Sequence, residues 1–301
     1  MKLINPTEVT DTMLVSSTVP ENDYPEWDPF AAYIAGNRYN RISTHRAYEC
    51  LVDNTNFTPE TNLTGTAPKW LDIGPTNQRA MFDNKVGTST TCLSPLTVVL
   101  RPGGVSGIGL LECVGAEAVV VLKDAPSGVI VYARSISLDG TSIDDVYDWF
   151  TLPYEQRTQV VLTDLPYQYA NPELTITISG SGIVGCGVCK FGPVFKIGDT
   201  QYGATAGIID YSVKTKDSFG NYSFAEGAYS KKASFKVDVA KKDFNRIDRY
   251  LASLRVKPCI YIGTESVEYE PLTIYGKYND FTIDVPYPEI NYCSIEIEGL
   301  I

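Results

Sequence analysis

The sharpest chemical signature in the chain is Cys186-Gly187-Val188-Cys189. A CxxC pair is redox-active when it opens a helix in a βαβ setting, and it is half of a zinc site when two further ligands stand at metal-binding spacing. Here it lies in the Gly-rich, β-branched run SGSGIVGCGVCKFGPVF, which predicts a strand, and no second CxxC or histidine pair accompanies it. The reading that fits is small thiols packing as hydrophobes. The single histidine, His45, precedes Cys50 by five residues. On a strand that odd separation sends the two side chains to opposite faces, so no Cys-His couple is expected. The glycines of RPGGVSGIG lack the GK[ST] of a phosphate loop. Those of GSGIVGCG follow a strand without an ensuing helical pattern, which argues against dinucleotide binding.

The remaining cluster is TSIDDVYDWFTLPYE, where Asp144, Asp145, Asp148 and Glu155 alternate with Tyr147, Trp149 and Tyr154. Paired carboxylates could serve glycoside hydrolysis or hold calcium, and exposed aromatics stack on sugars. With 36 acids in 301 residues such clustering arises without selection for catalysis. The expectation is an exposed contact loop, with Tyr147, Trp149 and Tyr154 as candidate carbohydrate-binding residues. No catalytic residue, metal ligand or cofactor site is expected, and the chain is not expected to be an enzyme.

The elements that position these residues are mostly strands. LTVVLRP (96–102), GAEAVVVLKDA (115–125), GVIVYARSISL (128–138), RTQVVLTDL (157–165) and ELTITISGSG (173–182) are β-rich runs bounded by turn residues. They predict a mainly β fold with a β-sandwich or jelly roll at 76–200. One helix is predicted over Asp243 to Arg255. Its Phe244, Ile247, Leu251 and Leu254 form a single apolar stripe, and Asp243 is its expected N-cap. With the flanking strands it makes an α+β domain at 201–301, in which GIIDYSVKTKDSFGNYSF is a hairpin turning at its Gly-Asn pair. Residues 1–75 hold the Pro-aromatic stretches YPEWDPF, FTPE and APKW. They predict an extended arm held by a neighbouring subunit, a small β element around RYNRISTHRAYECLVDN, and a weak helix near Pro29 to Ala35.

Composition narrows the partners. The net charge of −11 disfavours a nucleic-acid partner, since phosphate contacts need clustered Lys and Arg. No apolar run approaches 18 residues and no signal-peptide pattern opens the chain, so no membrane insertion is expected. Seven cysteines without such a signal predict reduced thiols. Twenty tyrosines against 11 phenylalanines suit half-buried sheets and wet interfaces.

Two resemblances follow from the motifs. Tyr33, Gly36, Tyr48, Cys50, Asn56, Pro59 and Trp70 stand in an order that resembles the aromatic module of chitin-binding-type carbohydrate-binding domains, with Asn37 where that group carries an acid. WLDIGPTNQRAMFD, the following β region and SFGN…LRVKPCIYIG…YG together resemble tail proteins of double-stranded DNA bacteriophage virions. The second resemblance implies a structural tail or neck component of the sheath, collar or adhesion type. Such a protein is made in the host cytoplasm and located in the virion. Its partners would be copies of itself and neighbouring tail or neck proteins, or a host-surface glycan or receptor. In this reading PKWLDIGPTNQRAMFD is the junction between small module and sandwich, anchored by Trp70 and Phe82, with Gly74-Pro75 as a tight turn.

Overall fold

The computed structural model describes residues 1–300 apart from Ser142, Asp144 and Asp217, and leaves the side chains of Val267 and Glu268 undescribed. The fold is mainly β. Each predicted central strand is found: Leu96–Leu100, Glu117–Lys123, Ile130–Ser137, Gln159–Leu162 and Glu173–Ser179. They fall into two antiparallel sheets. An outer five-stranded sheet runs in the order Ile130–Ser137, Glu117–Lys123, Glu173–Ser179, Leu96–Leu100, Leu14–Ser17. An inner four-stranded sheet runs Gln159–Leu162, Gly107–Val114, Ile183–Gly192, Thr90–Leu93. Alternation aims one face of each at a shared core: Leu174, Ile176 and Ile178 from the outer sheet meet a cluster that includes Ile108, Leu110 and Phe191 of the inner one.

The inner sheet is apolar on its other face too. Leu111 and Val188 join Ile4, Ile260, Ile262 and Tyr275, which belong to the carboxy-terminal sheet. That sheet orders Val194–Lys196, Lys2–Ile4, Cys259–Ile262, Thr273–Asp284, Ile290–Gly299, Tyr229–Ala240 and Asp199–Thr200, with Thr205–Asp210 also paired to Tyr229–Ala240. Its far face packs on the helix Phe244–Ser253 through Ile247, Leu251 and the following Leu254, against Phe235, Tyr261 and Ile295. All four residues of Cys259–Ile262 are buried because the strand lies between two cores. The molecule is thus a stack of outer sheet, inner sheet, carboxy-terminal sheet and helix, with an apolar cluster at each of the three interfaces.

The small module has its own aromatic core. Arg38–Arg41, Arg46–Cys50 and Trp70–Pro75 form an antiparallel sheet, beside the short pair Ala32–Tyr33 and Asn54–Thr55. Trp70 is fully buried, edge-on to Tyr33 at 5.1 Å and to Tyr39 at 6.0 Å, and its Nε1 donates to the Phe57 carbonyl at 2.8 Å.

Several expectations need correction. The first residues form no arm awaiting a neighbour: Lys2–Ile4 pairs with Val194–Lys196 and Cys259–Ile262, and Leu14–Ser17 pairs with Leu96–Leu100. The boundaries at 75 and 200 therefore cut across sheets that draw strands from both sides. The segment near Pro29 to Ala35 holds the strand Ala32–Tyr33 in place of a helix, because Tyr33 is needed in the aromatic core. Asp243 does not cap the helix. The chain enters through the 3₁₀ turn Lys241–Asp243, which leaves Asp243 helical where a capping residue is extended. Gly74 and Pro75 lie in a strand, and the φ of +134° at Gly74 serves an irregular register beside Ala47 and Tyr48. Among the described residues no helix is long and apolar enough to cross a membrane.

Candidate functional site

The acidic-aromatic loop leaves the outer sheet through a tight neck. Leu138 is fully buried, Gly140 N donates to the Glu155 carbonyl at 2.8 Å, and Arg157 N donates to the Leu138 carbonyl at 2.8 Å. Beyond the neck, Val146–Thr151 forms a helix with no buried residue. Asp145 caps it by accepting from Asp148 N at 2.8 Å, so this carboxylate has a structural task. Asp144 lies outside the described residues. Tyr147 and Trp149 are 72% and 68% exposed. Two steps of about 100° set their side chains on nearly opposite sides of the helix, so they do not form one flat platform. Phe150, 80% exposed and absent from the sequence expectation, sits on the stripe that runs from Val146 through Trp149. Tyr154 is held apart at the neck, where its hydroxyl donates to the Leu138 carbonyl at 3.4 Å.

A second exposed element is a ribbon at residues 205–229. Thr205–Asp210 pairs with the start of Tyr229–Ala240, and the ladder resumes where Val213–Lys216 pairs with Tyr222–Ala225. The predicted hairpin is present, turning at Gly220 with φ +92°. Its eight paired tip residues are all exposed. Directly opposed residues share a face, so Lys214 with Phe224 and Lys216 with Tyr222 form one tile. Lys214 Nζ lies 3.9 Å from the Tyr222 ring centroid and 5.5 Å from that of Phe224. The signal in the sequence was the spacing K-T-K against Y-S-F, which puts cations and rings on the same side once the register is known.

The other chemical candidates are structural. Cys186 and Cys189 share the core between the outer and inner sheets although they stand an odd three positions apart. The chain changes parity at Glu112, with φ +53°, and at the facing Gly187, where a Cβ would sit 2.6 Å from Glu112 Oε2. Burial pushes the Cys189 thiol up to about 12, and a hydrogen bond with Cys113 together with burial raises Cys186. These are inert, protonated thiols. His45 stands in a turn with φ +53°, away from the buried Cys50. Its Nδ1 is 2.9 Å from Glu21, and its Nε2 is 3.0 Å from Asp11 and 3.2 Å from Arg79 Nη2. Glu21 also accepts from Thr76 Oγ1 at 2.7 Å. This cluster ties the small module to the segment 76–83, and Arg79 pairs with Asp11 at 3.2 Å. Asp72 is taken by Arg46 at 2.6 Å. Along PKWLDIGPTNQRAMFD the anchors are Trp70 in the aromatic core and Met81 in the core between the outer and inner sheets, with Phe82 only partly buried.

A cleft of about 840 Å³ opens in the carboxy-terminal sheet between Tyr202 and the segment around Leu272. Its charges are matched in pairs, Lys2 with Glu265 at 2.7 Å and Lys196 with Asp199 at 2.7 Å. Among the described residues no group of three or more His, Cys, Asp or Glu is placed to hold a metal ion. The arrangement offers surfaces for binding: a cation-bearing aromatic ribbon and an acid-bearing aromatic loop. No protein-family model matches the chain, and no curated protein matches it.

Proposed function

We propose that this chain is a non-enzymatic structural component of a bacteriophage virion, assembling in multiple copies on the tail or neck. The virion setting comes from the resemblance of its motifs. The observation that carries the assembly reading is the contrast between three satisfied inter-layer cores and two aromatic elements that the chain itself leaves uncovered. Aromatic surface gathered on projecting elements marks a site of protein contact. Repeated shallow contacts add up in a closed ring, so each pairwise affinity can be modest. Electron microscopy of virions with antibody labelling, together with sedimentation of the purified chain, tests this. Density at regular positions on a tail or neck is expected. A chain that stays monomeric and is missing from all particles defeats the reading.

A second reading, a host-surface glycan or receptor contact, draws on the exposure of Tyr147 and Trp149. Trp149→Ala that abolishes binding to host cells while leaving assembly intact would establish it.

A further inference from the structure

We infer that the Lys-aromatic tile of the ribbon in one copy docks on the acidic-aromatic loop of the next copy, head to tail. This rests on the assembly reading above and names its contact. The two surfaces are complementary in sign. The ribbon tile presents Lys214 and Lys216 flanking Tyr222 and Phe224. The loop from residue 138 to 156 holds five acids and neither lysine nor arginine. They are complementary in kind as well, because each sets exposed rings among its charges: Tyr222 and Phe224 on one, Trp149 and Phe150 on the other. Aromatic and cationic groups at the centre of a contact are where binding energy concentrates. Neither surface is covered by its own chain: the ribbon tip is exposed along both strands, and the loop helix buries nothing. Two different patches that fit each other make a heterologous contact, which propagates into a ring or a filament.

Charge swapping tests it on the full-length chain. The ribbon variant is Lys214→Glu with Lys216→Glu. The loop variant is Asp148→Lys with Glu155→Lys, which leaves the capping Asp145 in place. Each variant alone is expected to associate more than about tenfold more weakly than wild type, because like charges then face each other. An equimolar mixture is expected to regain assembly, since each swapped ribbon meets a swapped loop and each native ribbon a native loop. Added salt is expected to weaken the wild-type contact. Circular dichroism melts of each variant separate misfolding from lost contact, and recovery in the mixture cannot come from misfolded chains. If both variants sediment like wild-type assemblies, this contact is overturned while the assembly reading survives. If the wild-type chain stays monomeric and is missing from particles, both fall together.

Discussion

The inner sheet and the ribbon are both antiparallel and opposite in what their faces meet. The inner sheet has a core on each side. Nine of the ten residues of Ile183–Gly192 are buried, and its second face rests on Ile4 and Ile260. The ribbon tip has solvent on each side, with all eight of its paired residues exposed. A strand's identity is therefore not in its ladder, which both share, but in its supply of partners. The inner sheet finds them within the chain, and the ribbon does not. A strand pair this exposed is marginal by itself, which is why the proposed reading assigns it a partner outside the chain.

The largest effect that sharpens this contrast is a truncation in the inner sheet. Phe191 is fully buried in the core between the outer and inner sheets. Phe191→Ala should cost about 3–5 kcal/mol, measured as a shift in the urea midpoint. A cost below about 1 kcal/mol would mean the inner sheet is as loosely held as the ribbon, and the comparison would fail.

Next comes the contact between inner sheet and carboxy-terminal sheet. A Cβ added at Gly109 would lie 2.3 Å from Ile260 Cδ1. Gly109→Ala should destabilise by about 1–3 kcal/mol through overpacking. Ile260→Val removes the offending methyl and alone should cost about 0.5–1.5 kcal/mol. The double variant should be more stable than the sum of the two singles predicts by at least about 0.5 kcal/mol. Strict additivity in equilibrium unfolding would show that the two sheets do not bear on each other there.

How far the sequence carried these features follows from their range. Strands that alternate within themselves were legible, as in Glu173–Ser179, where Leu174, Ile176 and Ile178 face the core. The amphipathic stripe of Phe244–Ser253 was legible for the same reason. What escaped depends on distant pairing. Lys2–Ile4 has three residues and no pattern of its own, and it becomes a strand only because Val194–Lys196 and Cys259–Ile262 offer edges on both sides. The shared core of Cys186 and Cys189 depends on a parity change at Gly187, which faces Glu112 and its positive φ on the neighbouring strand. For the candidate surfaces, composition pointed to Tyr147, Trp149 and Tyr154, but a six-residue helix separates the first two and brings in Phe150. The ribbon was visible as a hairpin and invisible as a surface, because exposure is a property of the whole fold.

A pH dependence also distinguishes the two regions. Burial raises the Cys189 thiol in the inner sheet and the Cys259 thiol in the strand against it, each to about 12 from an ordinary 9.0. Between these values the unfolded chain has lost the proton that the folded chain keeps, so stability is full below about pH 9 and falls as pH rises toward 12. Each thiol contributes a slope of about 1.4 kcal/mol per pH unit in that window. Replacing Cys189 by Ala should flatten the fall in the urea midpoint across this range, whereas no ribbon substitution should. An unchanged slope in Cys189→Ala would place the alkaline sensitivity on groups other than Cys189.

The smallest effect on stability belongs to the ribbon, and its smallness is the point. Phe224 is 72% exposed and Tyr222 is 54% exposed. Replacing both by Ala removes no core contact, so the midpoint of the dilute, monomeric chain should move by less than about 0.5 kcal/mol. The cation–π pairs that Lys214 and Lys216 make over these rings act only within the ribbon tip, which opens locally without the rest of the fold, so their loss stays out of the global midpoint. A larger loss would show that the ribbon props up its own chain, making its exposure incidental. A silent substitution in the monomer that abolishes self-association would show that the rings are kept for a neighbour, since nothing in the fold that carries them requires their presence.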